Sequence, residues 1–367
     1  MIRHFIVERN ASPREWDPQN PDPKLPRDCL YFGKALVEME QHLQDEEISC
    51  YLTWDNDSLP ELGHHVVAIL IGEESGLIPR YARHVRLVAR VMGRRPFLGV
   101  RRWSPLNHLK VLLAAKHLRN WMFHLRSWVR YQIPPSSWPP KVHSKANIAH
   151  LPWGSASLVE VPVKKMQERN RNYYFSGGIA VRSDFSYRKV ISSPKILARQ
   201  ALVDAVAAIE KKHPHLVSGQ TIRVHKQTST GELSDIRDYA QRLMDSKVCL
   251  APRGSVADTW RFFEGLKSGC AVITNPMPDE WYYRGVPAIQ IESWTELEAV
   301  LLPLLADEAR LEEMHVQSLR YWDQVCGEKA LGRYLAQTIS AAHSDEVDPP
   351  LILEAMIGTI QPGCQST

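Results

Sequence analysis

The sequence predicts an α/β protein made of two doubly wound, Rossmann-like parallel-sheet units. Short all-apolar runs alternate with helix-length amphipathic runs through both halves, and a charged stretch, KKMQERNRN (164–172), divides them. A chain of 367 residues also exceeds what one ordinary core encloses. The expected units are 1–165 and 166–345, followed by a tail, 346–367.

In the first half HFIVE (4–8) reads as a strand and 28–45 as a helix. YLTW (51–54) and VVAILIG (66–72) read as strands, 78–92 as a helix and FLGV (97–100) as another strand. A long helix near 105–131 follows, broken by PPSSWPP (134–140), and then the strand IAHLP (148–152). Strands this short and this uniformly apolar belong to a parallel sheet covered on both faces. The second half repeats the pattern. YYFSG (173–177), TIRVHK (221–226), VCLAP (248–252), AVIT (271–274) and AIQI (288–291) are its strands. Helices fall near 194–212, 235–245, 256–268, 294–305, 308–326 and 328–341.

Composition excludes several classes. Apolar residues make up 44 % and charged residues 23 %, so the chain is neither disordered nor fibrous. The six cysteines form no CxxC and have no nearby histidine partners, which argues against a zinc site or a disulfide framework and suits a reducing compartment. Cys249 and Cys270 lie in apolar runs, as small buried hydrophobes do. MIRHFIVERN has no apolar core of a leader, and no window of about 18 apolar residues occurs. A cytoplasmic protein is expected. Charge, however, is unevenly spread. Residues 1–74 carry 6 Lys/Arg and 15 Asp/Glu; residues 75–159 carry 15 and none; the rest carries 24 and 26. An acid-free basic run of that length predicts a surface for an anionic partner.

The stretch 248–274, VCLAPRGSVADTWRFFEGLKSGCAVIT, reads as strand, turn, helix, strand. Ser255 with Asp258 three residues on resembles a capping box, Gly254 allows close approach or positive φ, and Gly269 is placed to end the helix. Ala257, Arg261, Glu264 and Ser268 share one stripe, with Phe262, Phe263 and Leu266 opposite. Taken alone, Arg261 and Glu264 make an ordinary i,i+3 ion pair. With Arg253 and a helix start at the end of a parallel strand, they suggest a phosphate beside a sugar diol.

This stretch resembles the exostosin-like glycosyltransferases. The resemblance is carried by Ser246, Lys247, Cys249, Leu250, Pro252, Arg253 and Gly254, then Arg261, Phe263 and Glu264, then Gly269, Cys270, Val272 and Ile273. RNRNYYFSGG (169–178) and Trp294, Glu296 and Leu297 resemble that family more weakly, and the first half does so by architecture alone. The resemblance implies the GT-B fold, with a sugar nucleotide, UDP-linked by default, held by the second unit. It implies Glu264 on the ribose hydroxyls and Arg253, Gly254, Ser255 and Arg261 on the diphosphate. Gly177 and Gly178 would lie under the nucleotide or leaving phosphate, with Arg182 a looser candidate; a plain turn is an equal reading of the glycines. In this fold arginines and helix starts neutralise the leaving diphosphate, so no metal or other cofactor is expected. Transfer with inversion needs a general base from the first unit. Glu73 and Glu74, directly after VVAILIG, are the candidates, with Asp55 and Asp57 next. Each is also readable as a loop or capping acid.

Between 105 and 131, Leu118, Trp121, Met122, Leu125, Trp128 and Val129 recur with helical period, and Lys116, Arg119, Arg126 and Arg130 fall largely opposite. A core-packed helix with a basic outer face accounts for the period. The missing acids point instead to an anionic membrane surface at 75–159, a lipid-linked acceptor or an acidic glycan. Nucleic acid is a weaker option, because no zinc finger, helix-turn-helix or RNP-like signature accompanies the charge. The expected activity is sugar transfer from a nucleotide sugar to a glycan or glycolipid hydroxyl, by a protein at most peripherally attached to a membrane. The alternatives are a UDP-sugar epimerase of the same architecture and a non-catalytic nucleotide- or polyanion-binding protein.

Overall fold

A computed structural model of the protein describes residues 1–8, 12–22, 25–26, 28–43, 46–92, 98–102, 106–156, 159–178, 194–217, 222–225, 233–257 and 259–342. Arg182, Asp258, Cys364 and the tail from 346 lie outside the described residues.

Two sheets organise the chain. The first comprises β1 (Ile2–Val7), β2 (Arg14–Glu15), β3 (Ile48–Thr53), β4 (Gly63–Leu70), β5 (Val85–Val91) and β6 (Ile148–Leu151), in the order β2-β1-β3-β4-β5-β6. All neighbours are parallel except the short edge strand β2. Its helices are α1 (Asp28–His42), between β1 and β3, and α2 (His108–Gln132), between β5 and β6. The second sheet comprises β7 (Arg171–Gly178), β8 (Ile222–His225), β9 (Ser246–Ala251), β10 (Ala271–Thr274) and β11 (Ala288–Gln290), ordered β11-β10-β9-β7-β8 and wholly parallel. Its helices are α3 (Lys195–Lys212), α4 (Leu233–Met244), α5 (Trp260–Lys267), α6 (Leu297–Ala306) and α7 (Glu308–Tyr321). A π turn, Trp322–Cys326, leads into α8 (Glu328–Ala341).

Alternation along the strands explains the layers. In the second sheet Tyr173, Phe175, Val248, Leu250 and Ile273 face α3, α6 and α7, while Tyr174, Cys249 and Val272 face the α4–α5 side. On α5, Phe262, Phe263 and Leu266 are fully buried, about 2–3 kcal/mol of apolar burial each. Gly269 ends this helix at φ +66, where a Cβ would meet the His315 ring at 2.5 Å. The last helix among the described residues does not stay with the second sheet. α8 lies along α1, so closely that a Cβ on Gly332 would sit 2.5 Å from the Ala35 carbonyl oxygen. Arg86, on β5, donates from Nε to the Ile339 carbonyl at 3.0 Å.

Three expected elements differ. Residues 85–91 form the fully buried strand β5 rather than part of a helix; VRLVARV is rich in β-branched residues, and its two arginines find partners inside. Residues 98–100 form no strand, because Gly99 turns with φ +74 against Arg253. The helix expected from 256 begins at Trp260, with Thr259 at its N-cap. The Ser255 carbonyl accepts from Lys116 Nζ, so Ser255 belongs to the preceding loop and not to the helix start.

Candidate functional site

In the second sheet β7 pairs with β8 on one side and β9 on the other, so the winding reverses between β7 and β9. The carboxyl ends of strands at such a reversal form a crevice for ligands. Ser176–Gly178 and Ala251–Gly254 end there. Arg261, in the first turn of α5, donates from Nε to the Ser176 carbonyl, and its guanidinium lies 5.3 Å from the Phe175 ring centroid. Gly177 makes room for it: a Cβ there would lie 2.8 Å from Arg261 Nη2. Arg199, on α3, donates from Nη1 to the Gly178 carbonyl at 2.7 Å.

The loop after β9 supplies the next cation. The Arg253 N–H donates to Asn275 Oδ1 at 3.1 Å, and its side chain reaches across to the first unit, where only a glycine at 99 leaves space. Lys116 comes from the opposite direction, from the buried side of α2. Its ammonium is pushed down to about 8, chiefly by burial, with Arg253, Arg119 and Lys195 adding repulsion and Glu74 opposing. Lys195, on α3, is lowered by burial and by Arg199 and Arg261. Arg199 is lowered by burial and by Arg261, and its Nε is buried with no hydrogen-bond partner. Lys116, Lys195, Arg199, Arg253 and Arg261 thus form a partly desolvated cation cluster drawn from both units, with Glu74 as an opposing carboxylate.

Glu264 lies one turn along α5 from Arg261 and is 7 % exposed. Its Oε2 accepts from Tyr239 Oη at 2.5 Å, and burial beside this carboxylate holds the phenol well above its usual range. Glu264 also lines a cavity of about 190 Å³ with Ser155, Val161, Tyr239 and Lys267. One wall of that cavity is the segment joining the two sheets.

The two acids after β4 separate cleanly. Glu73 is buried; its carboxylate accepts from the amides of Ser75 at 2.7 Å and Leu77 at 2.9 Å and pairs with the fully buried Arg90. Both oxygens are occupied in fixing the loop. Glu74 is exposed and acts electrostatically on Lys116 and Lys195. Asp55 and Asp57 line a different cavity of about 430 Å³, where Asp57 pairs with Arg130 at 3.0 Å. Asp28, at the start of α1, accepts from Trp153 Nε1 at 3.3 Å, and the Trp153 ring packs 5.2 Å from Trp260 beside Arg261. Burial raises the Asp28 carboxyl to about 6.

α2 is not the core-packed helix with a basic outer face that its period allowed. Lys116, Asn120 and Tyr131 are buried, His124 bonds the Gly76 carbonyl at 2.6 Å, and Ser127 Oγ accepts from the Ile78 amide at 3.1 Å. Leu118, Trp121, Met122, Leu125, Trp128 and Val129 are instead exposed. Neither Lys116 nor the Lys195/Arg199 pair emerges from the motif. Lys195 and Arg199, spaced i,i+4 at the start of a helix with no acid in its first turn, are the signal that was available. Among the described residues, no group of three or more His, Cys, Asp or Glu side chains is placed to hold a metal ion, and no helix is long and apolar enough to cross a membrane.

No protein-family model matches the chain, and no curated protein matches it. Solved structures similar to it include the pneumococcal O-GlcNAc transferase GtfA in complex with UDP and GlcNAc, at 16 % identity and TM-score 0.36, covering 77 % of this chain and 58 % of that one. A TarM variant from S. aureus aligns at 9 % identity and TM-score 0.38, over 83 % of this chain and 58 % of its own. Sucrose-phosphate synthase from Thermosynechococcus elongatus aligns at 12 % identity and TM-score 0.40, over 93 % and 98 %. The chain spans little more than half the length of the first two.

Proposed function

We propose that the protein is a GT-B-type glycosyltransferase that takes a sugar from a nucleoside diphosphate, UDP by default, and passes it to a hydroxyl of a glycan or lipid-linked glycan. One observation carries this reading: five cations from both units, partly stripped of water, meet at the winding reversal of the second sheet. Like charges gathered in a low-dielectric crevice repel one another, and a diphosphate relieves that repulsion with charge-assisted hydrogen bonds. Neutralising the leaving diphosphate is also what glycosyl transfer requires. Glu264, a turn from Arg261 and facing a cavity, is the acceptor for ribose hydroxyls, a role the ordered match of 246–273 to the exostosin-like pattern supports. Gly177 serves by admitting the Arg261 side chain. Glu74 is the general base in an inverting transfer, since Glu73 is committed to Arg90.

Thermal melting with a panel of nucleoside diphosphates tests the donor site. UDP is expected to stabilise the wild type, and Glu264→Ala and Arg261→Ala are each expected to remove that shift while leaving a cooperative ligand-free transition. If both variants keep the full shift, the assignment fails. Incubation with UDP-sugars then separates transfer, which releases UDP when an acceptor is present, from epimerisation, which yields a new nucleotide sugar from donor alone.

A further inference from the structure

We infer that the outer face of α2 is a docking surface for an anionic phospholipid bilayer. A helix on a globular unit ordinarily turns its apolar stripe inward. Here Leu118, Trp121, Met122, Leu125, Trp128 and Val129 are between 37 and 64 % exposed. The inner side of the helix is Leu112 and Leu113 near its start and largely polar beyond them: His124 on the Gly76 carbonyl and Ser127 under the Ile78 amide tie it to its own unit, and Lys116 reaches the Ser255 carbonyl of the second. The apolar face is therefore the one left for something else. A contiguous apolar patch of this kind marks an interaction site.

Charge selects the occupant. The patch lies within residues 75–159, which carry 15 Lys/Arg and no Asp/Glu. Arg126 is exposed beside it and Arg119 half-buried. In a twofold dimer this face would meet itself, and the segment offers no carboxylate to offset cation against cation. An anionic bilayer satisfies both features, with tryptophans and leucines at the acyl boundary and arginines among phosphate headgroups. The inner side of the same helix delivers Lys116 to the cation cluster, so docking would hold that cluster one helix thickness from the headgroups. This goes beyond the nucleotide site and does not depend on it.

The test is co-sedimentation of the full chain with vesicles of phosphatidylcholine alone and of phosphatidylcholine with ~30 mol % phosphatidylglycerol, at low and high salt. The wild type should bind the anionic vesicles, bind neutral ones at least ~10-fold more weakly, and lose binding as salt rises. The double variant Leu125→Asn/Trp128→Ser should lose ~10-fold or more of the partition, and Arg126→Glu should weaken it and flatten its salt dependence. Because these side chains are exposed, each variant should melt like the wild type and keep its UDP response, which separates failure here from failure of the donor site. Wild-type protein that ignores anionic vesicles, or a double variant that binds them equally, would overturn the inference. So would a wild-type dimer that the double variant converts to monomer without any effect on lipid.

Discussion

Replacing Lys116 by methionine should make the ligand-free protein more stable and its nucleotide complex weaker. The ammonium is buried and falls from 10.5 to about 8. That drop corresponds to ~3 kcal/mol by which the charged form burdens the folded state. A depressed lysine carries this cost in full below pH 8 and loses it as pH rises towards the unfolded value. Against it stands the hydrogen bond to the Ser255 carbonyl, whose loss leaves a backbone acceptor short of a donor at ~1–2 kcal/mol. The net expectation for Lys116→Met at pH 7 is a gain of ~1–2 kcal/mol, or about 1–3 °C for a chain of this length. At pH 10 the lysine's cost has shrunk below ~1 kcal/mol, so the variant should be level with the wild type or less stable. The UDP-induced rise should shrink together with a ~10- to 100-fold loss of affinity, as for a lost charged hydrogen bond. Thermal melts at both pH values, with and without UDP, read all of this. A variant that is destabilised at pH 7 and retains the full UDP shift would reduce Lys116 to a strut between the units.

Glu73→Gln should destabilise by ~3–5 kcal/mol, because Arg90 is left buried without its counter-charge; Glu74→Gln should leave the melt nearly unchanged and lower kcat by ~10²–10⁴. Denaturant titration and initial rates distinguish the two, and a Glu74→Gln enzyme of normal rate would return the base to another residue. Asp28→Asn should stabilise the protein by up to ~3 kcal/mol above pH 6, where the raised carboxyl must ionise against its burial, and should match the wild type near pH 4. Melts across pH 4–8 check the sign.

The second unit was more legible than the first. Its strands are short, apolar and evenly spaced, and the 246–273 motif fixes a strand, a loop and a helix whose stop at Gly269 is visible as a glycine. What the motif concealed was the start of that helix, because the Ser255 carbonyl is claimed by a lysine 139 positions earlier in the chain. In the first unit VRLVARV was misread because two arginines among valines look like a helix's polar side. Only long-range partners, Glu46 with the Ile339 carbonyl for one and Glu73 with the Leu77 carbonyl for the other, make them acceptable in a buried strand. The direction of α2 was hidden for a similar reason. Periodicity reveals that a helix has two faces; it does not say which one the rest of the molecule covers. The cation cluster is assembled from α2, α3, the loop after β9 and α5, and no local pattern joins those four.

The return of α8 to α1 has a consequence for biogenesis. One face of the sheet formed by the first 151 residues is completed by residues 328–341. During synthesis α1 can cover that face early, but its last layer waits until residues 328–341 have left the ribosome, after the second sheet already has its own covering helices. The unit begun first is thus the one finished last. Loss of residues 328–341 would uncover the outer side of α1, even though the cut falls far from it in sequence.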